Sequence, residues 1–189
     1  DYTDVQSFIQ LQRKQTMNKA IEISKYIVNY ANEKGLGITN LKLQKLLYYV
    51  QAAFLLLSEG KEPCFSDKIV AWLHGPVVEN VYYEYSKYRG EHIPKQESVR
   101  KIVYKNGKFD FDDIPLCADD IPEKDRAIID RVLDGLLKYD AWELVRRTHE
   151  EQPWCQVKET NGEIGRDSIY SYFKEAGRGK RIYGDFAER

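Results

Sequence analysis

Cysteine and histidine are the side chains best suited to act as nucleophile and base near neutral pH, and the chain holds three of each. His149 and Cys155 lie closest in sequence, with Pro153 and Trp154 between them. A thiolate–imidazole pair needs sulfur and ring in contact. No strand–turn–helix context surrounds either residue, so a structural histidine and a structural thiol beside a tryptophan are the simpler reading. His149-Glu150 lacks the second histidine one helical turn away that zinc hydrolases use, and Cys64, Cys117 and Cys155 form no Cys-x-x-Cys spacing. The Asp112-Asp113 and Asp119-Asp120 pairs offer divalent-cation or acid–base chemistry, but neighbouring loop carboxylates do not converge on a point and read as solvated charge. Gly75-Pro76 runs into valines where a phosphate loop has Lys-Ser/Thr, and Gly177-Arg178-Gly179-Lys180 follows the last helix instead of opening one. Neither catalytic residues, nor a metal, nor a cofactor is expected.

Binding chemistry is better represented. Fourteen tyrosines, seven phenylalanines and three tryptophans are many rings for 189 residues, and tyrosine combines contact area, low side-chain entropy and a hydroxyl. Tyr82, Tyr83, Tyr85 and Tyr88 point around more than one side of a helix, so one core stripe cannot take them all. They are either boundary packing or contact surface. Gln44 and Lys45 sit among apolar residues, and Gln44 either satisfies a buried backbone group or reads a partner. A basic cluster of Lys174, Arg178, Lys180 and Arg181 near Tyr183 is diluted by Glu175, Asp185 and Glu188, and the net charge is -1. Nucleic acid, which needs concentrated positive charge, is not expected as a partner.

The elements that must position these residues are mainly helical. Ala20, Ile23, Ile27 and Ala31 recur at spacings of three and four over 18–34, closed by Gly35 and Gly37. Thr39 or Asn40 caps a second helix with Leu43, Leu47, Val50, Phe54 and Leu57 on its stripe; being the most hydrophobic, it should be central, and Gly60 ends it. Residues 68–73 fit a short strand or a buried turn, and Gly75-Pro76 should open a third helix reaching Gly90. Asn106-Gly107 between Val99–Tyr104 and Phe109–Phe111 predicts a small peripheral β-hairpin. Further helices follow Pro122, begin at an Asp140/Glu143 capping pair, and span about 167–176.

One compact domain fits the length and the 42% hydrophobic, 31% charged composition. Residues 1–16, with Val5, Phe8, Ile9 and Leu11 able to form a small apolar face before Met17, are set apart as an N-terminal extension or an artificially added segment. The domain is placed at 17–176, and 177–189 is expected to be a flexible basic, Gly-containing tail. No run approaches the roughly 18 apolar residues that cross a bilayer, and no basic-then-apolar leader opens the chain, so the cytoplasm is the expected compartment and a membrane is not an expected partner.

Three stretches, in order, resemble one family. Leu41-Lys42-Leu43-Gln44-Lys45-Leu46-Leu47-Tyr48-Tyr49-Val50-Gln51 resembles the signature helix of the Panacea domain, found also in GepA-like phage proteins and SocA-like antitoxins; Ala71-Trp72-Leu73-His74-Gly75-Pro76-Val77-Val78 resembles its second block, and Leu144 through Thr148-His149 to Pro153-Trp154 its third. His74 stands where the family more often has an aromatic residue, commonly tyrosine. The resemblance implies a mainly α, multi-helix domain and an antitoxin that neutralises the toxin of an adjacent gene by direct binding; the alternative is a SocA-like adaptor that delivers a toxin to a protease. Both are binding functions without catalysis. The candidate contact residues are Gln44, Lys45, Tyr48, Tyr49, Tyr82, Tyr83 and Tyr85. Leu43, Leu46, Trp72, Gly75, Pro76, His149, Pro153 and Trp154 match the family blocks and are assigned to structure, with Trp72 and Trp154 as core anchors.

Overall fold

The computed structural model describes residues 18–115 and 120–185. The apolar face considered at Val5–Leu11, together with Cys117, Asp119 and Glu188, lies outside the described residues. Helix α1 (Ala20–Glu33) buries Ala20, Ile23, Ile27 and Ala31, as its spacing requires. Helix α2 (Asn40–Leu57) starts at Thr39, whose hydroxyl accepts the Lys42 amide at 3.3 Å. It is buried on every side, so the remaining elements are arranged around it.

The Gly75-Pro76 pair differs from expectation. It lies in a strand, because β1 (Val70–Trp72) and β2 (Gly75–Val77) pair antiparallel across a turn at Leu73-His74, with Trp72 opposite Gly75. Gly75 holds φ +99, open to glycine alone, and the next helix α3 (Glu79–Tyr85) begins three residues after Pro76. A Cβ at Gly75 would stand 2.7 Å from Thr148 Oγ1 and 2.9 Å from Lys45 Cε, so close approach to α2, not helix initiation, is what this glycine serves. A 3-10 turn at Ser86–Tyr88 continues α3.

The hairpin forms as predicted. Strands β3 (Ser98–Lys105) and β4 (Lys108–Pro115) pair in register with Lys105 opposite Lys108, and Asn106 and Gly107 take the positive φ values, 51 and 77, that a two-residue turn needs. Helix α4 (Glu123–Leu136) follows Pro122. Asp140 caps α5 (Ala141–His149) by accepting the Glu143 amide at 2.7 Å. The short α6 (Gln152–Cys155) and then α7 (Arg166–Phe173) follow, and the described residues make a mainly α domain with two small two-stranded sheets.

The expected flexible tail is corrected over 177–185. Arg178–Tyr183 forms a 3-10 strap against α4 and α2, with Ile182 fully buried and the Tyr139 hydroxyl donating to Gly184 O at 2.6 Å. The strap fits because both backbones lack a Cβ where they meet: one at Gly135 would lie 2.2 Å from Tyr183 O. Among the described residues, no helix is long and apolar enough to cross a membrane.

Candidate partner-binding surface

Four of the candidate contact residues lie on α2 and are closed to any partner in this fold. Gln44 accepts the Val78 amide at 2.9 Å and donates to Asn40 Oδ1 at 2.9 Å, while Asn40 donates to Tyr82 O at 2.9 Å; this chain of bonds ties α2 to the start and middle of α3. Lys45 is fully buried and donates to Pro76 O at 2.8 Å, and burial drives its ammonium down to about 7. Tyr48 and Tyr49 are fully buried, edge-to-face on each other with centroids 5.2 Å apart and tilted or edge-on against Phe173. The expectation that these four side chains touch a partner is therefore corrected: a polar residue inside an all-round buried helix finds its hydrogen-bond partners within the fold.

A buried polar cluster joins α2 to the strap. Glu151, fully buried, accepts from the Tyr49 hydroxyl at 2.8 Å and from Arg181 Nε at 3.1 Å. Its other oxygen, Oε2, and the neighbouring Tyr48 hydroxyl are buried without a partner in hydrogen-bond geometry. Burial raises the Glu151 carboxyl to about 7, against the opposing pull of Arg181 and its hydrogen bonds.

The tyrosines of α3 separate by face. Tyr85 is fully buried, its hydroxyl accepting from Ser24 Oγ at 3.3 Å, and so it too is withdrawn from the contact set. Tyr82 is half-buried, and Tyr83 is 62% exposed. Their rings meet at 5.7 Å, and Trp72 stands edge-on to both at 4.9 and 6.1 Å. From the same β1–β2 turn, Leu73 projects at 77% exposure and His74 sets its ring edge-on to Trp142 at 5.2 Å, with Trp142 itself 60% exposed. The result is an open run of side chains from α3, across the β1–β2 turn, to the first turn of α5.

In the sequence, Leu73 belongs to the apolar run 68–73 and Trp142 to the helix stripe, so neither stands out as a contact residue. Helix geometry gives no signal either, since Trp142 lies about 200° round the helix from Leu144 but only about 60° from Val145, and both of those are buried.

The base of this surface is made by the third family block. The His149 ring stacks on Trp154, with centroids 4.0 Å apart and planes 7° from parallel, and Trp154 Nε1 donates to Trp72 O at 3.0 Å. Burial first, and then the neighbouring Lys45 and Lys158, hold His149 below its usual range. Cys155 Sγ donates to the backbone carbonyl of His149 at 3.1 Å, so sulfur and imidazole are not paired as nucleophile and base.

The fold is a mainly helical domain with this cluster of exposed rings on one face. A family model described as antitoxin SocA-like, Panacea domain, matches residues 43–155, more than half of the chain. The chain belongs to that SocA-like, Panacea-domain antitoxin family. No curated protein and no solved structure matches it.

Proposed function

We propose that this protein is an antitoxin that neutralises, by direct binding and without catalysis, the toxin encoded next to it, with the cytoplasm as its compartment. The toxin docks on Tyr83, Leu73, His74 and Trp142, with Trp72 and Tyr82 forming the edge of the site. The observation that carries this reading is the concentration of exposed rings on family-matched segments of an antitoxin-family chain. Large aromatic side chains left in water at a rigid turn are the residues from which interface hot spots are built. The site rests on a buried frame, because Trp154 bonds the Trp72 carbonyl and Lys45 bonds the Pro76 carbonyl, so contact residues would be held in place before binding.

The test is co-expression with the product of the adjacent gene. Toxicity should be relieved by the parent chain and should return with Leu73→Ala plus Tyr83→Ala, while the melting temperature stays within about 2 °C, as expected for truncations at exposed sites. Toxin abundance in a pulse-chase should be unchanged by the antitoxin. Toxin loss that depends on this chain would instead identify an adaptor, and an innocuous neighbouring product would remove the reading altogether.

A further inference from the structure

The β3–β4 hairpin has an uncovered face. By register, Ile102 stands opposite Phe111 and Tyr104 opposite Phe109, which places all four on one side of the ribbon. They are 68, 65, 67 and 78% exposed respectively, and the Tyr104 and Phe109 rings meet edge-on at 5.1 Å. The hairpin's extensive contacts are between its own two strands. Its root is tied to α1 by Lys25 Nζ donating to Ser98 O at 3.1 Å and by the Asn29–Gln96 pair. A two-stranded ribbon with one apolar face is marginal in water and gains stability when that face is covered.

We infer that the cover is the same face of a second copy, packed across a twofold axis to form a homodimer. Three observations select that occupant. The patch is made of four apolar or aromatic side chains, so it can meet itself without opposing like charges. Two such faces together expose roughly 1,100 Å², so covering them fully comes to about the lower bound for specific association. Twofold pairing along the strand edges is opposed by sequence, since β3 carries Arg100, Lys101 and Lys105 and β4 carries three aspartates against one lysine. Either strand beside its own copy would bring together segments of like net charge, which disfavours edge pairing. Pairing β3 of one copy with β4 of the next is charge-compatible but does not close, and would grow without limit. Face-to-face packing is the closed solution. It leaves the Trp72–Tyr83 surface a separate site, so dimerisation does not depend on the toxin reading.

Sedimentation of the full chain alone, from about 1 to 100 µM, tests it. The parent protein should move from monomer to dimer and stop there. Ile102→Lys combined with Phe111→Glu keeps an opposite-charge pair across the strands and should shift the dissociation constant upward at least a hundredfold. Tyr104→Thr combined with Phe109→Thr keeps strand propensity and should act the same way, guarding against a hairpin that has merely unfolded. A parent chain that stays monomeric over the whole range, a dimer that survives both double variants, or growth beyond dimer would each overturn the inference. So would a monomeric parent whose toxin neutralisation is lost in the two variants, an outcome that would give this face to the toxin.

Discussion

Lys45 and Glu151 are ionisable groups taken wholly out of water, and each carries the cost in a different pH range. The Lys45 ammonium, at about 7 in the fold against 10.5 in the open chain, is bound more tightly by a proton when the protein is unfolded. Stability linked to it is fully present above pH 10.5 and is lost as the pH falls toward 7. Lys45→Met should therefore flatten the rise in stability between those limits, by up to about 5 kcal/mol, in urea titrations at a series of pH values. Glu151 has the opposite sign, because its proton is held more tightly in the folded state. Its contribution is fully present below pH 4.5 and is lost as the pH rises through about 7. Glu151→Gln should remove that fall, on the order of 3 kcal/mol, in the same assay. The sequence shows a lysine and a glutamine among leucines on a helix. It does not show that Gln44 spends its side chain on the Val78 amide, because that partner lies 34 residues away and arrives only when the β1–β2 turn folds back.

Among the elements, the strap at Arg178–Tyr183 was the least legible. A 3-10 turn flanked by left-handed Gly177 and Gly184 has no 3.6-residue apolar period, and its one fully buried side chain is Ile182, so composition alone reads as a loose tail. Its anchors are distant in sequence: Glu151 for Arg181, and Gly135 for the backbone at Tyr183–Gly184. Gly135→Ala tests the fit directly. Alanine improves helix propensity by about 1 kcal/mol, yet its Cβ would enter the Tyr183 carbonyl, so net destabilisation of about 1–3 kcal/mol is expected in thermal or denaturant unfolding. Arg181→Ala should be more damaging, on the order of 3–5 kcal/mol above pH 7, since it leaves the Glu151 carboxylate buried without its cation. The long periodic helices α1, α2 and α4 and the Asn-Gly hairpin were legible because their signals are local, lying in stripe, cap and turn residues.

At the scale of the whole molecule, the family-matched segments build one frame and one open face. Trp154→Ala should cost about 3–5 kcal/mol, because it removes a buried indole, its bond to the Trp72 carbonyl and the stack on His149 together. Trp142→Ala, at an exposed edge of the same assembly, should leave the unfolding midpoint nearly unchanged and weaken toxin neutralisation in the co-expression assay. These two tryptophans, twelve positions apart, are alike by residue type and are separated only by burial. The sequence by itself determined a mainly helical domain, a central helix, a peripheral hairpin and membership of an antitoxin family, since periodicity, caps, turn pairs and motif blocks are properties of neighbouring residues. Tertiary structure alone decided which aromatic rings face water. Gln44, Lys45, Tyr48, Tyr49 and Tyr85 were drawn into the interior, whereas Leu73, Tyr83 and Trp142 were left outside. Exposure is set by what packs against a residue, and in this fold the hydrogen-bond partners that hold Lys45, Gln44 and Tyr49 inside lie 31, 34 and 102 positions away.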